Sequence, residues 1–183
     1  GLCALLHAYG ILSNASWETI QQAARGLDGS SVEERGESLA LALEGKKIYL
    51  YGDSPMRGLL TRWRQQLNEN SKLLANVEVF PEMNHNELVG WESGDETCVA
   101  VLVRTPDDHP RTQIRMDITA KVFQDQGADV IEVEPDGDSV WARLLDAVWV
   151  GDWMSLILAE KANVDPVDIR FIDHLKNTLA GQS

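Results

Sequence analysis

Apolar residues along this chain follow two rhythms. Four short runs have strand character: Lys46 to Tyr51, Val77 to Phe80, Cys98 to Val103 and Val130 to Val133. Their β-branched and aromatic content suits pleated backbone. The third run is apolar almost throughout, as expected of a strand covered by helices on both faces. Between the runs, apolar residues recur at helical spacing. Met56, Leu59, Leu60, Trp63 and Leu67 make one stripe of a helix expected from about Pro55 to Asn70. Further helices are expected over Arg111 to Gln126, about Ser139 to Ala162, and about Pro166 to Leu179. The second of these is apolar on so much of its surface (Leu144, Leu145, Val148, Trp149, Met154, Leu156, Ile157) that it belongs in a core or at a subunit interface.

The start of the chain is helical in pattern. Gly1 to Leu12 reads as a helix entered part-way, with no cap before it, which suggests a piece of a longer chain. Trp17 to Leu27 reads as a second, polar helix. Ser31-Val32-Glu33-Glu34 has the form of a capping box and opens a helix to about Glu44, ended by Gly45. Strands alternating with helices at this spacing predict a three-layer α/β/α sandwich around a mainly parallel sheet, flavodoxin-like in type. No repeat or linker divides the chain. A single domain over 1–183 is expected, with a helical lead-in over 1–45 and an α/β core over 46–183.

Charge narrows the partners. The chain carries 29 acidic and 16 basic residues, a formal net charge of −13. Such a surface repels phosphate backbones, so no nucleic-acid partner is expected, and an anionic substrate must be held by local donors. The apolar start is too short to span a membrane and lacks the basic lead of a signal peptide, so no membrane partner is expected. Cys3 and Cys98 have no metal or redox spacing, which fits a reduced, cytoplasmic protein.

The stretch Pro81-Glu82-Met83-Asn84-His85-Asn86-Glu87-Leu88-Val89-Gly90-Trp91 stands at a strand-to-helix junction. Asn84 is placed to cap a helix, with Glu87 three residues on reaching back. His85 then lies in the first turn, where an imidazole can exchange protons near neutral pH or simply bond to a neighbour. His85, Glu82 and Glu87 do not have the spacing of a zinc motif, and no metal or other cofactor is expected. Gly52-Asp53-Ser54-Pro55 follows the first strand as α/β binding loops do, but it lacks dinucleotide and Walker glycine patterns, and Asp53 would repel phosphate. Glu69 lies near the C-terminal end of its helix, the unfavourable pole for a carboxylate, in the polar cluster Gln65-Gln66-Leu67-Asn68-Glu69-Asn70-Ser71-Lys72. Patterning alone leaves it a solvated surface acid.

Two segments together resemble a known family. Arg62-Trp63-Arg64-Gln65-Gln66-Leu67-Asn68-Glu69-Asn70-Ser71-Lys72 and Pro81 to Trp91 are similar to the bifunctional phosphoglucose/phosphomannose isomerases of the sugar isomerase (SIS) domain superfamily. The ending Asp165-Pro166 to Ile172-Asp173-His174-Leu175-Lys176 is similar as well. The resemblance covers essentially the whole chain but only the C-terminal SIS domain of a two-domain family. The family's Ser/Thr-rich phosphate loop belongs to its first domain and has no match here. The resemblance implies interconversion of glucose 6-phosphate or mannose 6-phosphate with fructose 6-phosphate through a cis-enediol. It also implies Glu69 as the C1/C2 base and His85 as the ring-opening residue, reaching across a homodimer interface. Lys176 is implied on the last helix, and Gly52, Ser54 and Arg57 as substrate-binding positions after the first strand. Little activity is expected from these 183 residues alone. A non-catalytic SIS module that binds sugar phosphates in a regulatory role is the competing expectation, disfavoured because a sensor needs no C1/C2 base.

Overall fold

A computed structural model describes residues 2–182; Gly1, expected in the first helix, lies outside them. Helices α1 (Leu2–Ala8), α2 (Asn14–Arg25) and α3 (Gly29–Leu43) lead into the sheet. The rest alternates: β1 (Lys47–Asp53), α4 (Arg57–Glu69), β2 (Ala75–Phe80), α5 (Glu87–Gly90), β3 (Cys98–Val103), α6 (Pro110–Asp125), β4 (Asp129–Val133), α7 (Val140–Lys161) and α8 (Arg170–Ala180). All pairings are parallel, in the order β2-β1-β3-β4. The expected three-layer α/β/α sandwich is therefore what forms.

Alternation along the strands sorts the core into two halves. Ile48, Leu50, Val79, Val99, Val101 and Val103 face α3, α4 and α7, where Leu43, Leu60, Trp63, Leu67 and Met154 are fully buried. Tyr51, Phe80, Cys98, Ala100 and Leu102 face the other way, onto α6 and the 81–93 segment. The apolar helix over 140–161 packs in the core: it crosses α3 so closely that a methyl group at Gly36 would meet Trp153 Cβ at 2.5 Å. Trp63 donates its indole N–H to Ala147 O at 2.9 Å, and Gly151 leaves the space its ring fills.

Helix α2 starts at Asn14, three residues before the expected Trp17, because Ser13 caps it by accepting from Ser16 N–H. Three other helix starts also differ from the expected pattern. Asp28, not Ser31, caps α3, accepting from the backbone N–H of Ser30 and Ser31, so the helix begins one turn earlier than expected. Asn84 caps nothing. Glu82–His85 forms a 3-10 turn, and Asn86 caps the single-turn α5 by accepting from Glu87 N–H. The β2–β3 crossover is thus made of short turns where the neighbouring crossovers use long helices. The last helix starts at Arg170, after the 165–168 turn, and buries none of its residues.

Candidate active site

The polar cluster at the end of α4 is almost wholly committed to structure. Asn70 Nδ2 donates to Ser155 Oγ at 2.9 Å, and Ser71 Oγ to Ser155 O at 2.6 Å, which seats the helix end on α7. The Asn68 amide, with its nitrogen toward the carbonyls, donates to Leu73 O at 2.7 Å and Arg64 O at 3.2 Å. Lys72 Nζ donates to Glu69 O. Gln65 and Glu69 are the exceptions: both are exposed and, among the described residues, neither side chain takes part in a hydrogen bond or ion pair.

The 81–91 stretch repeats that arrangement. Met83 and Trp91 are buried, anchoring the turn with side chains worth about 1.5–3 kcal/mol each in removed apolar surface. Asn84 Nδ2 donates to Thr119 Oγ1 at 3.0 Å, and Arg115 Nη1 donates to Asn84 Oδ1 at 3.4 Å. Asn86 caps α5 and bonds Glu82. Glu87 accepts from the Tyr51 hydroxyl at 2.6 Å, and that oxygen accepts from Trp91 Nε1 at 2.9 Å. Burial raises the Glu87 carboxyl above its ordinary value, a shift the Tyr51 hydrogen bond partly offsets. The Tyr51 hydroxyl is pushed far up, chiefly by burial and then by its contact with Glu87. His85 alone is exposed with no partner among the described residues.

Glu69 and His85 lie at opposite ends of the sheet. Helix α4 runs back from the C-terminal end of β1, so Glu69 sits where β2 begins; His85 follows the far end of β2. Six residues of strand separate those ends by roughly 17 Å. No hydrogen bond or ion pair joins the two side chains among the described residues.

The loop after β1 is occupied by its own side chains. Asp53 is buried and accepts from Ser54 N–H at 2.8 Å, His109 N–H at 2.9 Å and Thr112 Oγ1 at 3.2 Å. It fills the N-terminus of α6, the position an anion would take. Asp108, alongside, has its carboxyl raised by burial, with Asp53 adding to the shift. Ser54 Oγ donates to Phe80 O at 2.7 Å, and Arg57 pairs with Glu78 at 3.3 Å. At Gly52 a Cβ would press on Met56 Cβ at 3.2 Å, so glycine serves packing there. Lys176 projects from the fully exposed α8.

Clefts exist elsewhere. One of about 550 Å³ lies between β2 and the 87–98 segment, lined by Tyr49, Arg64, Asn76, Glu78, Glu87 and Trp91. Another of about 440 Å³ lies between α2, α3 and the 136–142 segment. Neither Glu69 nor His85 lines either one. Among the described residues no group of three His, Cys, Asp or Glu is placed to hold a metal, and no helix is long and apolar enough to cross a membrane.

A family profile described as bacterial phospho-glucose isomerase C-terminal SIS domain matches residues 32–179. The chain belongs to that family. A bifunctional phosphoglucose/phosphomannose isomerase of Aquifex aeolicus is 35% identical over 151 residues, 81% of this chain and 47% of that protein. Its counterpart in Caldicellulosiruptor bescii is 38% identical over 146 residues, 78% of this chain and 43% of that protein. The chain thus spans about half the length of the curated relatives it matches. Among solved structures, a glucose-6-phosphate isomerase like protein from Thermus thermophilus superposes with a TM-score of 0.69 at 19% identity, covering 96% of this chain and 60% of that one. The C-terminal domain of glucosamine-fructose-6-phosphate aminotransferase from Francisella tularensis follows at 0.61 and 11%, covering 86% and 50%. At such identities these two structures speak for the SIS fold.

What the remaining members of the two motifs do leaves no signal in the order of residues. Tyr51 reads as an ordinary strand aromatic, and Ser155 is one Ser in an apolar helix. Only the closing of the sheet brings each to its partner.

Proposed function

We propose that this SIS domain supplies Glu69 and His85 to the isomerisation of hexose 6-phosphates, converting glucose 6-phosphate or mannose 6-phosphate to fructose 6-phosphate. One observation carries the reading. Among hydrogen-bonded neighbours in the two motifs, the side chains of Glu69 and His85, which match catalytic groups of the family, are exposed and have no structural partner among the described residues. A scaffold that ties down the residues flanking a reactive side chain while leaving that side chain free is how such a group is held for use.

In the proposed sequence His85 opens the sugar ring by moving a proton between the ring oxygen and the hydroxyl oxygen at C1. The Glu69 carboxylate then removes the proton from C2, the carbonyl oxygen at C1 gains a proton, and a cis-enediol forms. Return of the proton from Glu69 to C1, with loss of one from the oxygen at C2, gives the ketose. Atoms and charge balance without an outside electron donor or acceptor. A carboxylate beside the abstracted proton and an imidazole near the oxygens are suited to these transfers at neutral pH. Lys176 on α8 is the proposed cation facing the substrate oxygens.

The separation of Glu69 from His85 within one chain supports a site shared by two copies, each lending His85 to the other's Glu69. Two-fold symmetry then makes two equal sites. With Asp53, Ser54 and Arg57 engaged internally, phosphate recognition is assigned to groups outside the 52–57 loop. In the intact enzyme Glu69→Gln should lower turnover by about 10²–10⁴-fold, the usual reach of a general base, while fructose 6-phosphate still binds. Turnover surviving that change would remove Glu69 from the role.

A further inference from the structure

Lys72 joins two features at the turn that carries Glu69. Its backbone is left-handed, with φ +59°, a conformation shared among the described non-glycine residues only by Asn163. A residue with a Cβ is strained there, and glycine is not. Its ammonium bridges two carbonyls, donating to Glu69 O at 2.5 Å and to Asp168 O at 2.8 Å. The first acceptor belongs to the open end of α4, where carbonyls lack helical partners. The second lies 96 residues away, in the segment that leads into α8.

That second contact is unusual for what it holds. Helix α8 buries no side chain. Among the described residues, the Lys72–Asp168 bond is the sole hydrogen bond or ion pair joining residues 165–179 to residues 2–164. The other polar contacts of that segment are local: Asp165 accepts from Val167 N–H, and Asp168 accepts from Arg170 N–H and pairs with its guanidinium. Simple capping of α4 would need one acceptor, and water can serve it. A strained lysine that reaches a second, distant carbonyl does something a glycine in the same turn would not.

We propose that Lys72 is a positioning residue: its ammonium sets the root of α8, and with it Lys176, against the turn that carries Glu69. The inference rests on the isomerase reading of Glu69. It accounts for a lysine where the backbone favours glycine, because strain is kept at functional sites when it sustains an arrangement the function needs.

The test compares Lys72→Gly and Lys72→Arg in the intact native protein. Glycine relieves the strained backbone but removes the clasp; arginine keeps a cationic donor of similar reach. For Lys72→Gly the melting temperature should hold or rise, while amide exchange over residues 165–179 accelerates. Fructose 6-phosphate turnover should fall by about tenfold or more at nearly unchanged KM, the scale expected when a reacting group is slightly misplaced. Lys72→Arg should restore most of both. Unchanged exchange over 165–179 in the glycine variant would overturn the clasp. Faster exchange with unchanged turnover would overturn its positioning role, and so would lost activity that merely follows a lowered melting temperature. Glu69→Gln separates the two readings. Turnover that survives it removes the isomerase assignment, while the exchange result still judges the clasp.

Discussion

A mixing experiment on two dead chains tests the shared site directly. Within one subunit, β2 places the base of the Glu69 turn and the His85 turn at opposite ends of a six-residue strand, roughly 17 Å apart, far beyond what a Glu and a His side chain can span around one sugar carbon. If each site takes Glu69 from one copy and His85 from the other, chains carrying Glu69→Gln and His85→Asn complement. A mixed dimer has one site with both defects and one site with none. Random re-pairing of equal amounts makes about half the dimers mixed, so roughly a quarter of the wild-type activity should return. The assay is fructose 6-phosphate conversion after the two chains are denatured and refolded together, against each variant refolded alone. A reverse control uses the double variant mixed with wild type. Every mixed dimer is then dead at both sites, so about a quarter of all sites stay active, where a site within one chain would keep about half. No recovery in the first mixture, with half activity in the second, would refute the shared site and the reading of sheet geometry behind it.

Two further outcomes follow from the packing. Gly151→Ala puts a methyl group 2.2 Å from Trp63 Nε1 and 2.4 Å from Trp63 Cδ1, against a fully buried ring. Such overpacking should cost about 1–3 kcal/mol and lower Tm by several degrees, with a shift in tryptophan fluorescence as α4 gives way; an unchanged Tm would show that α4 and α7 yield more freely than their contacts imply. Glu87→Gln tests the half-buried carboxyl that accepts from Tyr51. Burial raises the Glu87 pKa from its reference of 4.5, so its contribution to stability is fully present below that value and lost as pH rises through the raised one. The glutamine variant keeps an acceptor for Tyr51 without the charge. Its Tm relative to the parent should therefore improve between pH 4 and pH 7, and a difference independent of pH would mean that Glu87 ionises as freely as in solution.

Much of this architecture is legible in the order of residues. The near-continuous apolar runs Ile48 to Tyr51 and Val99 to Val103 specify two-sided burial, and a parallel sheet follows from the helices between strands. Boundaries moved where short-range donors and acceptors compete. Asp28 wins α3 from Ser31, and Asn86 wins α5 from Asn84 because Thr119 and Arg115, on another helix, claim the Asn84 amide. The strand-to-helix junction drew attention to His85, but nothing in the pattern marked Glu69. An exposed acid near a helix end has no pattern of its own, and only resemblance singled it out.

The sequence by itself determined the fold class, the two polar motifs and the family to which they belong, because those depend on local periodicity and on residues close in the chain. Tertiary structure alone decided which members of the motifs are free. Asn70 and Ser71 are spoken for by Ser155, Glu87 by Tyr51, and Asp53 by His109 and Thr112, each partner more than 30 residues distant in sequence. Those pairings exist only once the sheet has closed. They leave Glu69 and His85 unpartnered at opposite ends of it, and they show Lys72 reaching across to the root of α8.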